Sequence, residues 1–266
     1  MQARSALFDL YGDYLRARGS RAPVAALVRL LAPLDIAAPA VRTAVSRMVR
    51  QGWLHPLRLA SGPGYLLTPK AARRLDDAAS RVYRTGRGGW DGRFDMILLN
   101  DQLGRRDSAR LAFLGYGPLS EHVWIAPRAS DEIEAALTEA GTGYERFSAS
   151  HTAGSEIVGR AWDLEGIGRS YEEFVTSLRP VVKAVTARSS DEEAYAARFR
   201  LVHAWRSFLF QDPQLPAALL PAQWPGVRAA AFFDKHATRL RPAADRYVER
   251  CLQSATRGGR VGFSEP

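Results

Sequence analysis

Residues Ala38–Gln51 read APAVRTAVSRMVRQ, and this run is the point from which the chain becomes legible. Pro39 suits the first turn of a helix, where its missing N–H is no loss and its φ is already helical. Val41, Ala44, Val45, Met48 and Val49 recur at three- and four-residue steps and form one apolar stripe. The opposite face carries Arg42, Thr43, Ser46, Arg47 and Arg50 and no acid. Surface helices ordinarily mix charge signs. Arginines and small hydroxyls alone suit a polyanion such as duplex DNA. The same residues would also fit an ordinary amphipathic helix with solvated arginines, so the flanks carry the argument further.

Upstream, Ser5–Arg18 places Leu7, Leu10, Tyr11, Tyr14 and Leu15 on one face and predicts a helix ending at Gly19. Pro23 opens a second helix, Val24–Leu31, stopped by Pro33. Two helices joined by a short turn, the second bearing arginines, is the helix-turn-helix pattern. Downstream, Gly52 closes the arginine helix and Trp53-Leu54 starts an extended run. Ser61–Gly64 reads as a turn and Tyr65–Thr68 as a returning strand. A hairpin after such a helix is a wing, and Arg58 in its first strand could reach a phosphate or the minor groove. Thr68-Pro69 predicts a further helix over 70–83.

Charge is distributed to match. Residues 1–90 hold 15 Lys+Arg against 5 Asp+Glu, while the remainder holds 22 against 23. The whole positive surplus therefore accompanies the arginine-faced helix, which argues for nucleic acid as the partner. An anionic membrane surface fits less well, because the helix lacks a Trp/Phe/Leu-rich apolar face. No apolar run reaches membrane-spanning length, no signal-peptide core stands at the N-terminus, and Cys251 is the only cysteine. A soluble cytoplasmic protein without membrane partners is expected.

The runs RSALFDLYGDYLRARG from Arg4, AVRTAVSRMVRQGWL from Ala40 and GYLLT from Gly64 resemble the PaaX family of bacterial transcriptional repressors. The resemblance continues through WDGRFDMILL from Trp90, GYGPLSEHVWIAPR from Gly115, AWDL from Ala161 and FLFQDPQLPAALLPAQWPG from Phe208. It implies repression of an aromatic-acid, phenylacetate-type catabolic operon by a homodimer on palindromic double-stranded DNA. It also implies release by an acyl-CoA effector, typically phenylacetyl-CoA, whose binding residues the sequence leaves unknown; a cleft between the middle and C-terminal parts is a plausible place for it. One departure stands out. Family members generally carry Gly in the turn before the recognition helix, where this chain has Asp35. Asp tolerates unusual backbone angles better than most residues. The helix also starts from alanines rather than a capping side chain, a loss of about 1 kcal/mol.

Beyond a linker at Arg87–Gly89, strands are predicted at Arg93–Leu99, His122–Ala126 and Tyr144–Ala149, and helices at Arg105–Leu114 and Asp131–Ala140. This alternation implies a ferredoxin-like α+β segment. The segment also resembles the small CRISPR-associated nucleases, and with it comes the alternative of a metal-dependent nuclease using Asp101. A lone carboxylate at a strand end is more often a turn residue, and Mg²⁺ gathers more oxygen ligands. Helices follow at Ile157–Trp162, Arg169–Val185, Asp191–Phe210 and Pro225–Leu252. The last two are separated by a proline-rich connection in which Leu215, Leu219, Leu220 and Trp224 should anchor the chain. Arg198–Arg206 reads as a core face of Phe199, Val202 and Leu209 beside solvated arginines, or as a cationic pocket wall. The five histidines show no ligand spacing, and no nucleophile or phosphate-loop motif occurs.

The expectation is an α+β protein in three consecutive parts: a winged helix-turn-helix over 1–86, a ferredoxin-like middle over 90–152 and a helical domain over 153–254, with a flexible tail at 255–266. Arg42, Thr43, Ser46 and Arg47 are the candidates for base edges and phosphates, and Arg50 and Arg58 for phosphates. No catalytic residue, metal or cofactor is expected.

Overall fold

The structure, a computed structural model, describes residues 1–73, 75, 90–150 and 154–257. The linker at 87–89, most of the helix expected over 70–83 and the tail from 258 lie outside them. The described residues form a mixed α and β protein with two antiparallel sheets and a helical C-terminal region.

Helix α1 (Ala3–Leu10) continues through a π turn, Tyr11–Leu15, and a 3-10 turn, Arg16–Arg18, to Gly19 at φ 80°. Strand β1 (Arg21–Pro23) leads into α2 (Val24–Leu31), and a 3-10 turn at Ala32–Leu34 precedes α3 (Ala38–Arg50). Strands β2 (Leu54–Leu59) and β3 (Gly62–Leu67) form a hairpin. The sheet has three strands in the order β1-β3-β2, so the expected hairpin gains a partner. Three residues are too few for alternation to register in a sequence. Gly64 makes that pairing possible: a Cβ there would stand 2.9 Å from the Ala22 carbonyl oxygen.

In the middle of the chain, β4 (Arg93–Leu99), α4 (Arg105–Phe113), β5 (Gly117–Pro118), β6 (Val123–Ala126), α5 (Ile133–Ala140) and β7 (Tyr144–Ser150) follow in order. Their sheet runs β5-β6-β4-β7, antiparallel throughout. β5 was not foreseen; it is two residues long and contains Pro118. Ile97 and Leu99 bury one sheet face against Leu111, Ile133 and Leu137 of α4 and α5. Phe94 and Ile125 bury the other.

The C-terminal part holds α6 (Gly154–Ala161), α7 (Leu164–Ala184), α8 (Asp191–Trp205), the short α9 (Phe208–Gln211) and α10 (Pro225–Arg257). α7 starts at Leu164 rather than Arg169, because the Asp163 carboxylate accepts the Gly166 N–H at 2.8 Å. Ser190 and Glu193 close a reciprocal capping box on α8. The helix expected to reach Phe210 breaks after Trp205, and α10 runs past the expected start of the tail. Leu215 and Leu219 anchor the proline-rich connection among Phe94, Val158 and Ala161.

The chain forms two compact units, each drawn from separate stretches of the sequence. One comprises Met1–Ser80, Thr176–Trp205 and Ala231–Pro266; the other comprises Arg81–Val175 and Arg206–Ala230. Packing explains the first assignment. Tyr195, Phe199, Ala244, Val248 and Cys251 belong to the same buried cluster as Leu7, Tyr14, Leu27 and Val45. Ionic ties accompany the packing. Arg198 is only 4% exposed, pairs with Asp13, and donates to the Tyr14 hydroxyl at 2.7 Å and the Ala237 carbonyl at 3.1 Å. His203 Nδ1 lies 2.5 Å from the buried Asp9 carboxylate. The reading of solvated arginines beside Phe199 is thus corrected at Arg198, whose side-chain partners Asp13 and Tyr14 sit some 185 residues away in sequence.

Candidate nucleic-acid interface

α3 is set on its unit by Val41, Ala44, Val45 and Met48, all buried, while Val49 is half-buried. The stripe faces α1 and α2. Its C-terminus is closed by main-chain bonds, Gly52 N–H to Val49 at 2.9 Å and Trp53 N–H to Met48 at 2.8 Å, with Gly52 at φ 70°. Its N-terminus has Ala37 at the cap position and no side-chain cap, as the alanine-rich start predicts.

Arg42, Thr43, Ser46, Arg47 and Arg50 are all exposed. They fall on two neighbouring rows, Arg42-Ser46-Arg50 and Thr43-Arg47. Arg42 to Arg50 spans about 12 Å along the axis at 1.5 Å per residue, comparable with the width of a major groove, about 12 Å. Among the described residues, Arg42, Arg47, Arg50 and Arg58 form no ion pair or hydrogen bond through their guanidinium groups. Other arginines of the same unit are engaged. Arg18 pairs with Asp245 and Glu249, Arg198 with Asp13, Arg200 with Asp35, and Arg246 and Arg250 with Asp191. The face of α3 is therefore a patch of uncompensated positive charge, whereas these five arginines are answered by carboxylates within the protein.

Arg58 stands exposed near the tip of the β2–β3 hairpin, opposite Pro63 in register. Tyr11 ties that hairpin to the helices by donating its hydroxyl to the Tyr65 carbonyl at 2.9 Å, and burial holds the phenol above its ordinary pKa. Exposed Arg21 on β1 joins the same sheet and was missed for the reason β1 was. Lys70, also exposed, lies 4.6 Å from the centre of the Trp53 ring, just past the hairpin.

Asp101 is exposed on a bend after β4. Among the described residues no group of three or more His, Cys, Asp or Glu is placed to share a cation. The second unit contains an open cleft of about 470 Å³, bordered by Tyr116, Gly117, Trp162, Asp163, Ser170 and Asp212. Segments predicted as separate middle and C-terminal parts thus share its walls. Burial raises the Asp212 carboxyl above the usual carboxylate range, against the hydrogen bonds it accepts from Tyr171 and the Gln214 N–H. No described helix is long and apolar enough to cross a membrane.

Two family models match the chain, one described as PaaX-like protein over residues 2–71 and one as PaaX-like protein C-terminal domain over 162–250. The chain is 31% identical over 260 residues to the transcriptional repressor PaaX of Escherichia coli (strain K12), covering 92% of this chain and 82% of that protein. It is also similar to a solved structure, the uncharacterized protein Rv0674 from Mycobacterium tuberculosis. That likeness has 25% identity and a TM-score of 0.59, over 93% of this chain and 99% of the other. The whole of α3 and the hairpin falls within the first matched segment.

Proposed function

The chain belongs to the PaaX family, and from that premise we propose that it is a sequence-specific DNA-binding repressor of a phenylacetate-type catabolic operon. Helices α2 and α3 are the helix-turn-helix, α3 is the recognition helix, and the β2–β3 hairpin is the wing. The observation that carries this reading is the exposed, acid-free, unpaired face of α3. Arg42, Thr43, Ser46 and Arg47 read base edges or hold phosphates at the centre of the groove. Arg50 and Arg58 hold phosphates at its margins.

The βαββαβ order of the middle segment, with β4 and β6 central, supports a ferredoxin-like arrangement there. A palindromic operator with half-sites about 34–36 Å apart would be met by a homodimer, in the cytoplasm where such DNA lies. An acyl-CoA effector fits family membership. The cleft beside Trp162 and Asp212 has the size of a small-molecule site, and release requires the thioester to bind the DNA-incompetent arrangement more tightly.

Fluorescence anisotropy with a duplex from upstream of the protein's own operon, and with an unrelated duplex, tests the reading at two salt concentrations. Tighter, salt-dependent binding to the first duplex is expected, reversed by a phenylacetyl-type thioester but not by free coenzyme A. Equal binding to both duplexes, or none, overturns the repressor reading. Specific binding unmoved by any thioester removes the effector alone.

A further inference from the structure

The turn that delivers α3 to its position is held from outside the helix-turn-helix. Asp35 ends the 3-10 turn Ala32–Leu34 in the left-handed region, at φ 62°, with its N–H on the Ala32 carbonyl at 3.0 Å. α3 follows with no side-chain cap on its first turn. Arg200 of α8 reaches this turn. Its Nη2 donates to the Pro33 carbonyl at 3.2 Å and to the Asp35 carboxylate at 3.1 Å. Ile36 completes the seat, 6% exposed, with its N–H directed at the Leu31 carbonyl. One guanidinium thus spans both sides of the bend between α2 and α3, and the residue in the left-handed position supplies one of its two acceptors.

We propose that Arg200 is a positioning residue for DNA recognition: by clasping Pro33 and Asp35 it fixes the direction in which α3 leaves the turn, and hence which base edges its arginines reach. This rests on the reading of α3 as the recognition helix. A glycine would adopt the same backbone angle without steric cost but offers the guanidinium no side-chain acceptor. The clasp also differs from the buried pair of Arg198 and Asp13. The Arg200 side chain is 38% exposed and that of Asp35 is 91% exposed, so the contact contributes little to global stability. Its effect is confined to the orientation of one helix. Orientation matters more to base edges, which demand a fixed geometry, than to phosphates, which accept many.

The test uses the full chain with Arg200→Gln, Arg200→Lys, Asp35→Gly and the Arg200→Gln/Asp35→Gly double variant. Affinities are measured for the operator duplex and an unrelated duplex, alongside thermal unfolding. The expected result for Arg200→Gln is a loss of operator affinity of about 2- to 5-fold, the size of one exposed ion pair. Affinity for the unrelated duplex, the salt slope and the unfolding midpoint stay at wild-type values. Arg200→Lys restores part of the loss, Asp35→Gly reproduces part of it, and the double variant is less impaired than the two singles combined. An unchanged ratio of the two affinities in Arg200→Gln, or a parallel fall of both, overturns the proposal while wild-type operator binding keeps the repressor reading intact. Wild-type protein that does not distinguish the duplexes removes both.

Discussion

Arg198 and Arg47 belong to the same compact unit and meet opposite physical demands. Arg198 is 4% exposed and its charge is answered by Asp13, the Tyr14 hydroxyl and the Ala237 carbonyl. Removing it leaves Asp13, only 15% exposed, with the half-exposed Arg241 at 3.8 Å as its remaining cation. Arg198→Met should therefore lower stability by about 2–4 kcal/mol, read from the urea midpoint, somewhat less than the penalty for a wholly uncompensated buried charge because Arg241 answers part of it. A loss under about 1 kcal/mol would mean that Asp13 finds water instead. Arg47 is exposed and unpaired, so Arg47→Ala should leave the urea midpoint in place and act on DNA alone. At a base edge the substitution costs about 1–3 kcal/mol of operator affinity and relaxes preference at one base pair; Arg42→Ala is expected to do the same. Arg50→Ala and Arg58→Ala should instead weaken all duplexes alike and reduce the salt slope by about 1 each. Binding to a set of single-base operator variants separates the two classes.

At the scale of elements, the small β1–β3–β2 sheet depends on a close approach at Gly64. A methyl group there would stand 2.5 Å from Leu59 Cδ1, which can move, and 2.9 Å from the Ala22 carbonyl oxygen, which can move only with β1. Gly64→Ala should cost about 1–3 kcal/mol and loosen the strand that α2 follows, visible as faster amide exchange at Leu67, whose N–H donates to the Ser20 carbonyl just before β1 at 2.9 Å. The tie between α8 and α10 responds to pH. Hydrogen bonds from Arg246 and then Arg250 hold the Asp191 carboxyl below its ordinary range. Its stabilisation is complete above the unfolded carboxylate value, near pH 4, and fades as pH falls through the lowered one. The unfolding midpoints of wild type and Asp191→Asn should therefore differ at pH 7 and converge below about pH 4. Long periodic elements such as α3 and β4 were legible because an apolar stripe persists over several turns or residues. β1 and β5 were not, since two or three residues carry no period and their pairing partners are remote. The exposed face of α3 was legible too, as one helix face is a local property. What α8 does was hidden, because Asp9, Asp13 and Asp35 meet His203, Arg198 and Arg200 only after folding brings distant segments together.

For the whole molecule, the interleaving of segments has an energetic consequence for the N-terminal residues. Residues 1–90 look self-sufficient as a sequence, with their own helices, hairpin and surplus of positive charge. Yet their buried cluster includes Tyr195, Phe199, Ala244 and Val248, and the Tyr14 and Tyr195 rings lie 5.5 Å apart. Burying one large apolar side chain is worth about 1.5–3 kcal/mol, and a segment this small has only a marginal balance to lose. Asp9 and Asp13 would also be left without His203 and Arg198, exchanging a satisfied interior for water or for unpaired charge. Residues 1–86 expressed alone should therefore show helical far-ultraviolet dichroism with weak near-ultraviolet signal, a broad urea transition and affinity for duplex that does not depend on sequence. A fragment that unfolds cooperatively with the midpoint of the full chain and still selects the operator would show that the arginine helix needs nothing beyond residue 86. The contacts made by Tyr195, Arg198 and Arg200 would then be accessory rather than part of what holds α3 in place.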